Sequence, residues 1–76
     1  MMRFLVEIKL MDKWILYKIL TRSPDIRHAL NRLSHLVKNV EGGVENARIR
    51  RLDTDVQIMD AKIEITKIWG VEHLET

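Results

Sequence analysis

Cysteine is missing from this 76-residue chain. That absence excludes disulfide staples and any metal site that needs a thiolate. Proline occurs once and glycine three times, so no linker, repeat or low-complexity tract is present. No glycine-rich loop opens a helix to cradle phosphate, because Gly42-Gly43 follows the clearest helical segment. No stretch free of Asp, Glu, Lys and Arg is longer than residues 33–37, so nothing in the sequence spans a bilayer and no membrane partner is expected. Glu7 and Lys9 interrupt the apolar start and no small-residue cleavage site follows, so no signal peptide is expected and a cytoplasmic protein is the default.

What is present describes a small globular domain. Hydrophobic residues make up 46% and charged residues 32%, with a net charge of +2. That balance excludes intrinsic disorder. A chain of this length buries only about 60% of the surface its unfolded form exposes. Small domains usually compensate with disulfides, metals or self-association. Without cysteine, self-association is the expected route, a homodimer or higher oligomer. The lack of cysteine, the single glutamine and the abundance of isoleucine and charge give a thermophile-like composition.

The pattern predicts one α+β domain over residues 1–69, followed by an acidic, frayed tail over 70–76. Phe4, Val6, Ile8 and Leu10 alternate with Leu5, Glu7 and Lys9, as in a strand. Ile15, Tyr17 and Ile19 resume the alternation after a change of phase, which a two-residue turn at Asp12-Lys13 accounts for. That turn would set Glu7 opposite Lys18 and Ile8 opposite Tyr17. Ser23, Pro24 and Asp25 suit a helix start. Ile26, Ala29, Leu30, Leu33, Leu36, Val37 and Val40 recur at helical spacing up to Gly42-Gly43, so a helix is predicted over about residues 24–41. Residues 44–52 and 56–69 read as a second hairpin around Asp53-Thr54-Asp55, with Arg48 opposite Asp60 and Ile49 opposite Met59. The predicted order is β-β-α-β-β: a four-stranded antiparallel sheet, order 2-1-3-4, with the helix on one face.

On this scheme the second sheet face would carry Leu5, Trp14, Leu16, Leu20, Val56, Ile58 and Ile68 among interleaved charges. Mixed patches of that size mark interaction surfaces. These residues and Trp69 are therefore the oligomer-interface candidates, meeting another copy or another protein.

Charge is unevenly distributed. Residues 22–51 hold seven basic and three acidic side chains, whereas residues 52–76 hold two basic and six acidic. Arg22, Arg27, Arg32, Lys38, Arg48, Arg50 and Arg51 make up the basic segment, with His28, Asn31, His35 and Asn39 among them. Arginine, lysine and asparagine grip phosphates and read base edges. The sequence holds no helix-turn-helix, zinc-finger or aromatic RNA-binding signature. The bland counterpart is a solvated helix face. His28 and His35 lie about 10 Å apart along a helix, too far to share one metal within a chain. Asp53, Asp55 and Asp60 lack the glycine and closing glutamate of a calcium loop, and turn chemistry accounts for them. Ser23 and Ser34 lack a glycine elbow and a visible His–acid partnership. No cofactor, metal or catalytic residue is therefore assigned, and the chain is expected not to be an enzyme.

Two function classes follow. One is a small homo-oligomeric nucleic-acid-binding or regulatory protein that contacts phosphates through the basic helix and neighbouring arginines. The other is a structural or protein-interaction module that uses the mixed sheet face. A flat ligand stacked on Trp14 or Trp69 between subunits is a third, weaker possibility.

Overall fold

Five consecutive residues, Phe4 to Ile8, are all buried. A strand alternates its side chains between two faces, so burial of all five requires cover on both. A computed structural model, which describes residues 2–70 and the backbone of residues 74–75, supplies that cover. Strand β1 (Met2–Leu10) lies in the middle of an antiparallel sheet between β2 (Lys13–Ser23) and β3 (Ala47–Leu52). Helix α1 (Ile26–Leu36) packs Ala29, Leu33 and Leu36 against Phe4, Val6, Ile8 and Leu20. Helix α2 (Asp55–Trp69) packs Ala61 and Ile65 against Leu5, Ile19 and Leu52 on the opposite face. A two-residue strand β4 (Leu74–Glu75) runs parallel to β2 at Ile19 and Leu20.

The α+β class and the central place of β1 agree with the sequence reading. The four long strands and single helix do not, because residues 55–69 form a helix. Thr54 caps it: its hydroxyl accepts from the Gln57 N–H while the Gln57 side chain accepts from the Thr54 N–H. This reciprocal pair satisfies two backbone donors that a helix start leaves open. Gly70, at φ 76°, closes the other end, and its N–H donates to the Thr66 carbonyl. The pairings of Arg48 with Asp60 and Ile49 with Met59 are therefore overturned. Arg48 lies opposite Glu7 and Ile49 opposite Val6, both on β1.

The first hairpin exists with a different register. Its turn is Met11-Asp12, both at positive φ (52° and 63°), and Leu10 pairs with Lys13. Two left-handed residues in a row give a turn whose twist matches that of the strands. The phase then changes at a β-bulge, where Tyr17 and Lys18 together oppose Val6. Glu7 consequently faces Leu16 rather than Lys18, and Ile8 faces Ile15 rather than Tyr17. The bulge sends Ile15 and Tyr17 toward α1 and Ile19 toward α2.

Helix α1 is shorter than the predicted span of about 24–41. Asp25 is its N-cap, with the carboxylate accepting from the His28 N–H at 2.8 Å. Ser23 instead ends β2, fully buried, where its hydroxyl accepts from Arg32 Nη1 at 3.4 Å and lies 3.3 Å from His28 Nδ1. The chain leaves α1 at Val37 and turns through Gly42, where φ is 82°. Within the predicted apolar stripe, Ile26 and Leu30 are exposed, while Val37 is buried in the core. Of the expected frayed tail over 70–76, Gly70 caps α2, and residues 71–76, apart from the backbone of 74–75, lie outside the described residues.

Helix α2 also changes the reading of the mixed sheet face. Leu5 is core under α2, and Leu20 is core on the α1 face. Leu16, Ile58 and Trp69 are half-buried against the α2 core. The Trp69 indole N–H donates to the Leu16 carbonyl at 2.7 Å, and its ring meets Tyr17 edge-on with centroids 5.5 Å apart. Of the interface candidates only Trp14, Val56 and Ile68 are exposed. The apolar residues that suggested a docking surface are largely those that hold α2.

Candidate nucleic-acid interface

Helix α1 buries one side and leaves the other to solvent. Its buried positions are Ala29, Leu33 and Leu36, so helical geometry turns Arg27, Asn31, Ser34 and His35 outward, and Lys38 follows in the turn after the helix. All five are exposed. Between the Asp25 cap and Glu41 there is no carboxylate. The outer face offers guanidinium, amide and imidazole groups over about 12 Å of helix, and the turn after it adds the Lys38 ammonium.

The other cations are placed differently. Arg22 is exposed near the end of β2, two residues before Pro24. Arg32 is half-buried on the flank of α1, where it donates to Ser23. Arg51 lies opposite Phe4 on β1 and forms an ion pair with Asp53 at 2.7 Å. Arg3 pairs with Asp55 at 2.6 Å. Among the described residues no ion pair engages Arg22, Arg27 or Lys38.

Arg48 and Arg50 do not join this surface. They lie opposite Glu7 and Leu5 of β1, and so on the α2 side of the sheet. Both reach the Glu7 carboxylate, Arg48 Nε at 3.4 Å and Arg50 Nε at 3.3 Å. The Glu7 side chain is 8% exposed while the arginines are 51% and 57% exposed, so a buried anion is neutralised by two cations at the surface. Arg48 also stacks over the Trp14 ring, 4.2 Å from its centre. Beside them, Leu16, Arg50, Leu52, Gln57, Asp60, Ala61 and Glu64 line an open cleft of about 340 Å³. Asp60 and Glu64 share that cleft with Arg50. That side carries both signs, whereas the α1 face carries one.

The sequence-predicted basic set thus divides between opposite faces of the sheet. Arg27 lies on α1 and Lys38 in the turn just after it, with Arg32 on the helix flank. Arg48 and Arg50 form a separate cluster around Glu7. The Glu7 pairing requires the β1–β3 register, whereas the sequence pattern alone sets Glu7 against Lys18. The three aspartates that resemble a sparse cation loop are separated in role: Asp53 and Asp55 hold arginines and Asp60 lines the cleft. Among the described residues no group of three His, Asp or Glu side chains converges to hold a metal. Among them, too, no helix is long and apolar enough to cross a membrane. Comparison with family models, curated proteins and solved structures finds no match.

Proposed function

We propose that the chain is a small, non-enzymatic nucleic-acid-binding protein that lays the outer face of α1 along a phosphate backbone. The observation that carries this reading is the exposed run of Arg27, Asn31, His35 and Lys38 without an intervening carboxylate. Arg22 and Arg32 extend the same field toward the end of β2. Phosphate contacts of this type position a protein without reading sequence. Asn31, in the middle of the face, is the one amide there suited to a base edge. Helix rigidity holds Arg27, Asn31 and His35 at fixed spacing, and the Asp25 cap and the buried Ser23 hydroxyl anchor the N-terminal end of the helix.

Binding to a labelled random-sequence duplex tests this reading. Arg27→Glu is expected to weaken it about tenfold or more, since a phosphate contact becomes a repulsion. Lys13→Glu, the same change of charge at the hairpin turn, is expected to have a small effect. Equal losses in both variants would mean that net charge, not the helix face, governs binding, and the proposal would fail.

A further inference from the structure

Helix α2 is apolar on both sides. Ile58, Ala61 and Ile65 face the sheet, and Val56, Met59 and Ile63 are exposed at 68%, 63% and 50% on the side away from it. This explains why the helix shows no clear amphipathic pattern. The exposed set is spaced three and then four residues apart, and Thr66 continues it by another three. That is the a and d seam of a helix pair over about two heptads. Elsewhere, Ile26 and Leu30 on α1 form a much shorter exposed pair.

The charges flanking the seam have an order. Asp60 flanks its first half together with Asp55, which Arg3 of its own chain already pairs, and Lys62 and Lys67 flank its second half. The geometry points to a second copy of this chain as the occupant, with the two α2 helices packed antiparallel about a two-fold axis. In that arrangement the acidic half of each helix lies over the basic half of the other, and the helix dipoles oppose. A parallel pair would instead set Asp55 beside Asp60 of the other copy and Lys62 beside its Lys67. A two-fold interface uses the same patch on both copies, which a self-complementary charge order permits. The inference is independent of nucleic-acid binding, because α1 and α2 lie on opposite faces of the sheet.

Sedimentation equilibrium of the full chain from about 1 to about 500 µM tests it, a range in which a small interface dissociates. A reversible dimer is expected. Ile63→Asp should raise the dissociation constant about 100-fold or more, because symmetry applies the change twice. Its circular dichroism should match the parent, since the residue is exposed. Lys67→Glu should weaken the dimer about fivefold or more by opposing Asp60 of the other copy. A monomer throughout the range, or a dimer indifferent to Ile63→Asp, would overturn the proposal. A dimer tightened by Lys67→Glu would overturn the antiparallel arrangement, since only the parallel pair gains from that change.

Discussion

Glu7 shows how a carboxylate is kept inside a small core. Its side chain is almost fully covered, and its two partners keep their guanidiniums half in water. The arrangement is energetically asymmetric. Removing the anion leaves two arginines that water can solvate. Removing both cations leaves a buried charge without a partner, which is far more costly. Glu7→Gln is therefore expected to lower stability by only about 1 kcal/mol. Arg48→Ala with Arg50→Ala is expected to lower it by about 3 kcal/mol or more. Urea denaturation of the two variants checks this ordering, and equal losses would contradict it. The pairing was not readable from the sequence because it joins residues on strands forty positions apart. Until β3 is registered on β1, Lys18 is an equally good partner for Glu7. The α1 face was readable, since its residues are related by one helical period.

At the scale of elements, the two helices differ in legibility for a physical reason. Helix α1 buries one side, so its stripe through Ala29, Leu33 and Leu36 is legible at helical spacing. Helix α2 has two apolar sides, and Val56, Ile58, Ile63 and Ile65 are β-branched residues that also alternate as a strand would. The deciding signal is local, Thr54 three residues before Gln57, a capping pair that a hairpin loop does not need. Thr54→Ala is expected to cost about 1 kcal/mol. For a domain of this size that corresponds to a fall of about 4–8 °C in melting temperature. An unchanged melting temperature would mean that the cap contributes nothing. The Met11-Asp12 turn is strained in the opposite sense. Both residues occupy left-handed backbone that asparagine and glycine adopt more readily. Met11→Asn with Asp12→Gly should raise stability by about 1 kcal/mol. A loss of stability would show that the turn has another geometry. The bulge at Tyr17 has no sequence marker, and one inserted residue is enough to move Ile19 to the opposite face from Tyr17.

For the whole molecule, the two-sided sheet decides which surfaces are available. The sequence placed one helix on one face, and the residues left over read as a docking surface. With α2 in place most of those residues are buried or half-buried, and two separate outer surfaces remain. The α1 face is cationic and polar, and the α2 face is an apolar seam with charged flanks. A dimer through α2 leaves both α1 faces free and pointing away from each other. It would then hold two separate backbone segments rather than clamp one. Total charge hides this division, because the net +2 combines a basic middle segment with an acidic end. The measurement that bears most directly on the account is binding of a random-sequence duplex as a function of salt, by fluorescence anisotropy. Arg22, Arg27 and Lys38 together predict a slope of about −3 in the logarithm of affinity against the logarithm of salt, from three phosphates neutralised. Binding absent at low salt, or present with a slope near zero, would contradict the assignment of α1 as a phosphate-binding face.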